Sequence, residues 1–473
     1  DSYGSFFAQV FAARHANLLR SVTLDSTYET SGLDPWYRST LESMPSDFDD
    51  ACERSAACVA ASGGSAWSEI SELAQRLREA PISGRVPGSS GKPEQVRMNV
   101  VGLVDLVSDA AEDKTIYGEL DAAARALLDA GDADPLLRLY AQREASDEAY
   151  FGSPISEYSV ELYVADACTD YPQLFDMSAP SSVRANELAS ALSSISPSTF
   201  SPFTPAEWIS QNENTEAFSV CIGWPSPTSP PALLPHTPPP PLFPSTLPVL
   251  VLGGELDTWT PPVDIPKVLK QIGGDQRVIE LANSTHVVGE GDTDCGSSLV
   301  QRFVADPQKL ESLDASCASA VPPIHSVGVY PASIEEQPPL RPAPGSTATL
   351  AELRLLAAAV DTAGDAIARY DAIEAKLDRG LEGGSVTASD EGARLTLAQD
   401  RLIADVPVSG TVKLTPSEIS GDGENVLASL TVRAPGERSI SLSAEWSTAA
   451  AGAEASVSAT TAKQTLSGTM PAP

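Results

Sequence analysis

Basic residues are scarce in this chain: 30 Lys and Arg face 64 Asp and Glu, for a formal net charge of −34. Nucleic acid is therefore excluded as a partner, because phosphate binding needs clustered Lys and Arg. The negative surplus serves solubility. Long hydrophobic runs are also missing. No stretch approaches the roughly 18 consecutive apolar residues of a membrane span. No Gly-rich phosphate loop and no metal-ligand cluster occurs, so neither cofactor nor metal is expected. Histidine numbers only four: His15, His236, His286 and His325. Cysteine is limited to Cys52, Cys58, Cys168, Cys221, Cys295 and Cys317. None forms C-x-x-C and no His lies at ligand spacing from them, which argues against zinc. Their even number allows a disulfide framework but leaves the pairing open. No complete G-x-S-x-G, no signal peptide and no internal repeat is found.

What is present begins at residue 1. Asp1-Ser2-Tyr3-Gly4-Ser5 precedes a helix-like stretch, Phe6 to Leu19, and a strand-like one, Ser21 to Asp25. With one Gly in front, the opening would be the nucleophile elbow of α/β-hydrolases, a sharp strand-to-helix turn that exposes a serine hydroxyl. The leading Gly is absent, so Ser2 needs support from elsewhere. Leu247 to Leu252 is a short apolar run ending in Gly253-Gly254, as expected of a buried parallel strand and its exit loop. Asp257 follows it. Thr260-Pro261 then marks the start of a helix running to about Ile272, where Gly273-Gly274 stop it. A second strand, Arg277 to Leu281, leads into Asn283-Ser284-Thr285-His286.

Ser2, Asp257 and His286 thus stand in the Ser…Asp…His order of α/β-hydrolases, each on a loop at the carboxyl end of a strand. A serine hydroxyl needs an imidazole to take its proton and a carboxylate to hold that imidazole. Among the four histidines only His286 follows a core strand after a candidate acid. Glu255 rivals Asp257, since alternation along an extended strand would put both on one side. The backbone N–H of Tyr3, next after the nucleophile, is the expected oxyanion donor.

The segments "DSYGSFFAQVFAARHANLLRSVTLDSTYE", "GGELDTWTP" and "NSTHVV" resemble tripeptidyl-aminopeptidase-like α/β-hydrolases, relatives of proline iminopeptidases. "CTDYPQLFD" and "CIGWP" resemble stretches of that family's lid. The resemblance covers roughly residues 1–330. It implies a secreted serine hydrolase, most specifically an exopeptidase releasing short peptides from free N-termini. It also favours Asp257 as the triad acid. Together with closeness in sequence, it favours the pairs Cys52–Cys58, Cys168–Cys221 and Cys295–Cys317, hence an oxidising, extracellular compartment. An aminopeptidase must hold an α-ammonium, and a buried cation needs a carboxylate. Asp170, then Asp166, are the lid candidates, against the competing reading of solvated surface acids. The family carries strands, a Gly-rich oxyanion loop and a secretion signal ahead of the elbow. The chain is thus expected to be the C-terminal part of a longer protein, with its signal peptide in the missing part and little activity of its own.

The expected fold is α/β: an α/β-hydrolase core, truncated at its N-terminus, with a helical lid insertion, a C-terminal helix and a small β-rich domain. Residues 1–30 and 247–325 supply the core. Residues 31–224, rich in Ala, Leu, Glu and Arg with helical spacing in Trp67–Leu77 and Leu120–Ala130, form the lid. Residues 225–246 form a Pro-rich, extended connector and 326–348 a linker. Residues 349–473 hold a long helix, about Leu350 to Leu377, and antiparallel strands at Leu402–Leu414, Val426–Val432 and Ser439–Glu445, as a β-sandwich or a sheet packed on the helix. The substrate is a peptide or an ester. A carboxylic-ester hydrolase and a non-catalytic binding or remnant protein are the alternatives, because fold does not fix function.

Overall fold

The computed structural model describes the whole chain except residues 89–90, 157, 212–217, 226–240, 293, 374, 390–391, 418–422, 434–438, 450–451 and 461–464. Most of the proline-rich connector lies outside the described residues. The chain divides into two compact units, one made of Asp1–Asp47, Val100–Glu112 and Tyr150–Val321, the other of Phe48–Asn99, Asp113–Ala149 and Pro322–Pro473. Residues 31–224 thus contribute to both.

In the first unit, Ser2–His15 forms helix α1 and leads into strand β1, Val22–Asp25. Strand β2 spans Phe243–Gly254, helix α2 Ile265–Ile272, strand β3 Gly273–Leu281 and helix α3 Asp294–Ala305. The three strands make a parallel sheet in the order β1-β2-β3, with Val22 opposite Val249 and Leu250 opposite Arg277. β2 begins four residues before the apolar run that announced it.

The centre of β2 is apolar on both faces because helices and loops cover both. Val249 and Val251 pack with Ala12 of α1 and Val268 and Ile272 of α2. Leu250 and Leu252 point the other way, onto Ile279, Leu299, Phe303 and Leu310. All four side chains are fully buried, each worth about 1.5–3 kcal/mol relative to exposure. Gly254 ends the strand where a Cβ would lie 2.0 Å from the Thr285 carbonyl oxygen, so the loop after β3 can close over the end of β2 only because that position is glycine. Gly273 and Gly274, predicted to stop the helix, do so with φ of 67° and 87° and then form the first residues of β3. The disulfides Cys168–Cys221 and Cys295–Cys317 belong to this unit.

The second unit is built on an antiparallel sheet. Its strands, in spatial order, are Arg341–Pro342, Thr465–Pro471, Glu454–Thr460, Ile440–Ser447, Glu424–Val432, Val408–Pro416, Arg394–Asp400, Ser385–Ser389 and Leu377–Asp378. It is a single sheet. Along 424–432 and 440–447 burial alternates strictly, and Val426, Ala428 and Leu430 pair across the ladder with Trp446, Ala444 and Leu442. One face packs on helix α4, Leu350–Ile373, and the other carries mostly Ser and Thr, the pattern of a sheet buried on one side. The helical spacing at Trp67–Leu77 and Leu120–Ala130 corresponds to Ala66–Glu79 and to Lys114–Arg125 with a wider turn at Ala126–Ala130. A hairpin, Ile82–Pro87 with Pro93–Met98, interrupts what the sequence suggested was all helix. The Cys52–Cys58 disulfide lies here. So does Arg138, fully buried and clamped by both oxygens of Asp365 at 3.0 and 2.5 Å. Among the described residues no helix is long and apolar enough to cross a membrane.

Candidate active site

The carboxyl edge of the parallel sheet gathers the polar residues. After β2 the chain turns sharply. Glu255 N–H donates to the Leu281 carbonyl at 3.0 Å and Leu256 N–H to the Ser284 carbonyl at 2.8 Å. The chain is no longer extended here, so Glu255 and Asp257 diverge. The Glu255 carboxylate accepts the backbone N–H of Asn283 at 2.9 Å. Asp257 turns inward and is fully buried. Its Oδ1 accepts the N–H groups of Trp259 and Thr260 at 3.0 and 2.9 Å. Its Oδ2 accepts the Thr260 hydroxyl at 2.6 Å and faces His286 Nδ1 at 2.9 Å. Thr260, expected as a helix cap, instead ligates this carboxylate, and helical structure starts only at Pro262.

The two partners shift each other's proton affinity. Burial alone would raise the Asp257 pKa, but the His286 imidazole and the Thr260 hydrogen bonds overcome it and hold the group below the usual carboxylate range. Burial pulls His286 downward, and the Asp257 charge with its hydrogen bond outweighs that and lifts it above 6.5. The Trp259 ring stands edge-on to the imidazole at 5.1 Å, and its indole N–H is anchored on the Ser108 carbonyl at 2.7 Å. His286 Nε2 is buried and makes no hydrogen bond.

The loop carrying His286 is held from β1. Asp25 accepts the N–H groups of Val288 and Gly289 at 3.3 and 2.6 Å, and the Ser26 hydroxyl accepts that of Val287 at 2.7 Å. Burial raises the Asp25 pKa, against the pull of these two N–H groups and of His286. Asp25 therefore lies within electrostatic reach of the imidazole. Sequence reading passed over Asp25 and Ser26, although they close a parallel strand at its carboxyl end, the edge where such sheets bind ligands.

Ser2 is the first residue of α1 and has φ of 43°. A positive φ at a non-glycine residue is uncommon, strained backbone. Ser26, Asn283 and Val287 share it, with φ of 50°, 53° and 59°. As the second residue of α1, Tyr3 has a backbone N–H with no acceptor inside the helix. Ser2 is half-buried and does not hydrogen-bond His286.

Tyr3 also reaches the helix Val160–Thr169. Its hydroxyl donates to Asp170 at 2.7 Å, and its ring stands edge-on to Tyr171 at 6.0 Å. Burial and the adjacent Asp170 raise the pKa of Asp166, while a Tyr3 hydrogen bond opposes them. Both candidate ammonium ligands therefore adjoin the residue next to Ser2. Asp170 is exposed and Asp166 half-buried. The other histidines lie elsewhere: His15 ends α1, His325 sits in the second unit against the Ala472 carbonyl, and His236 falls outside the described residues.

One family model matches part of the chain. Residues 204–317 match the family model described as TAP-like protein. The matched segment contains β2, α2, β3 and both Asp257 and His286, and it supports an α/β-hydrolase family and, with it, hydrolase activity. No curated protein matches the chain.

Proposed function

We propose that the first unit carries a serine hydrolase site with Ser2 as nucleophile, His286 as general base and Asp257 as the carboxylate that orients the imidazole. The observation that carries this reading is the buried Asp257–His286 pair at 2.9 Å, with the opposite ring nitrogen unpartnered. With Nδ1–H committed to Asp257, Nε2 is the acceptor. It takes the Ser2 proton as Oγ attacks the substrate carbonyl carbon. The carbonyl oxygen becomes an oxyanion held by the Tyr3 N–H. When the intermediate collapses, Nε2 returns its proton to the leaving amine and the acyl group remains on Ser2. Water, deprotonated by the same nitrogen, then releases the acid.

Among the described residues we assign only one oxyanion donor. Loss of one donor costs on the order of 10²–10³ in rate, so turnover by these residues alone is expected to be slow, and variants are compared with the unmodified chain. The acyl-side preference is an exopeptidase one: Asp170 and Asp166, beside Tyr3, would bind the free α-ammonium of a peptide. The three disulfides suit an extracellular protein.

The test is hydrolysis of a tripeptide p-nitroanilide with free and with acetylated N-terminus. The reading predicts Ser2-dependent release that falls at least about tenfold on acetylation. Equal rates on both would favour a general carboxylic-ester hydrolase, and release unaffected by Ser2→Ala would remove the triad.

A further inference from the structure

Beside the Asp257 loop the first unit holds a cleft lined by Glu29, Tyr37, Thr40, Tyr171 and Trp259, among others. Three of its polar side chains are more than nine-tenths buried, with relative exposures of 3% for Glu29, 6% for Tyr37 and 1% for Thr40. Each has an atom without a hydrogen-bond partner: Glu29 Oε2, the Tyr37 hydroxyl and the Thr40 hydroxyl. A buried polar atom left unpaired costs about 1–3 kcal/mol, and three on residues lining one cleft call for something polar to fill it.

The lining defines what that is. Asp34 and Asp264 also line the cleft; Asp34 is paired with Arg38 at 2.7 Å, so three carboxylates are set against two cations, Arg38 and Lys267. Lys267 Nζ is bound to Asp264 at 2.6 Å and lies 3.8 Å from Glu29 Oε1. An anion would meet surplus negative charge, and an apolar group would leave the three atoms unsatisfied. A cation with several N–H donors satisfies the free carboxylate oxygen and both hydroxyls, and the aromatic walls favour it further. Trp259 links the cleft to the site: its N–H binds Asp257 and its ring flanks His286. Tyr171, on the other wall, touches the Tyr3 ring.

We propose that this cleft is a subsite for a protonated side-chain amine of the substrate, with Glu29 as its charge partner and Tyr37 and Thr40 as hydrogen-bond partners. It rests on the hydrolase reading only in treating the cleft as part of a substrate site. It is distinct from the Asp170 and Asp166 position assigned to the α-ammonium.

Binding, not turnover, tests it. Calorimetric titration of the 473-residue chain at pH 7 would use Nα-acetyl-lysine amide, Nα-acetyl-norleucine amide and norleucine amide with a free α-amine. The lysine probe should bind at least about tenfold more tightly than acetyl-norleucine, and Glu29→Gln should remove that preference. Tyr37→Phe, which keeps the charge, should reduce it several-fold, with thermal unfolding showing both variants folded. Ser2→Ala should bind as the unmodified chain does, so a failed triad and a failed subsite remain distinguishable. The proposal is overturned if the lysine and acetyl-norleucine probes bind alike or not at all, as for a cleft holding water only. A preference that survives Glu29→Gln overturns it too, as does a Glu29-dependent gain for the α-amine probe instead.

Discussion

The Tyr3 hydroxyl donates to Asp170 at 2.7 Å across 167 residues of sequence. The residue following the proposed nucleophile is thereby tied to an exposed carboxylate on the lid-like helical segment. If that carboxylate binds the substrate ammonium, Asp170→Asn should lower kcat/KM on free-amine peptides by tenfold or more, since removing one partner of such a pair costs about 2–5 kcal/mol. Hydrolysis of a small neutral ester should be nearly unchanged. Equal losses on both substrates would mean that Asp170 only positions Tyr3, and Tyr3→Phe would then reproduce them.

The Asp257–His286 pair sets a pH dependence. In the proposed mechanism His286 must be neutral to accept the Ser2 proton, and Asp257 lifts its pKa above 6.5. The acid limb of the rate profile should therefore lie above the ordinary imidazole value. Asp257→Asn removes the cause of the lift. The limb should move to lower pH while the plateau falls on the order of 10³–10⁴-fold. An acid limb that stays in place would separate the rate from this pair.

Asp25 is assigned as a positioning residue for the His286 loop. Asp25→Ala leaves the N–H groups of Val288 and Gly289 without their acceptor, at about 1–3 kcal/mol for a buried unsatisfied group. We expect a lower Tm and a kcat reduced at least about tenfold with KM little changed, and Asp25→Asn should recover part of both. An unchanged kcat in a destabilised Asp25→Ala would limit Asp25 to a structural role.

In the second unit, burial and the neighbouring Asp365 push the Asp400 pKa up to about 7. Burial likewise raises Asp361 to about 6. In the unfolded chain such carboxyls lose their protons near pH 4, so the folded state holds protons that the unfolded state has released. Stability should fall as pH rises from about 4 to 7 and level off above. Asp400→Asn mimics the protonated form. It should raise the Tm at pH 8 by a few degrees, on a scale of about 2–4 °C per kcal/mol for this size, and leave it nearly unchanged at pH 4. Equal effects at both pH values would show that ionisation of Asp400 is not the cause.

The parts of the fold most legible in the sequence were those with one dominant pattern. The Leu247–Leu252 run, closed by Gly253-Gly254, reads as a buried parallel strand, and the alternation in Val426–Val432 and Ser439–Glu445 reads as antiparallel strands. The end of β2 was less legible. Alternation left Glu255 and Asp257 equivalent, and only the turn after Gly254, which depends on the Ser284–Thr285 loop closing over it, sends one to Asn283 and the other to His286. Thr260 read as a helix cap because capping and ligating a nearby carboxylate use the same hydroxyl. Asp25, Glu29, Tyr37 and Thr40 carried no periodic or motif signal. Their roles come from elements far apart in sequence, and local spacing does not record such meetings. The hairpin Ile82–Met98 was hidden for a related reason: its exposed positions hold Arg, Glu and Gln, which also suit helices.

The most direct test of the central claim is labelling with an alkyl fluorophosphonate, followed by peptide mapping. The account predicts a single adduct on Ser2, formed in the unmodified chain and abolished by His286→Ala and by Ser2→Ala, with both variants folded. An adduct on another serine, or none on Ser2 in the folded unmodified chain, would contradict it.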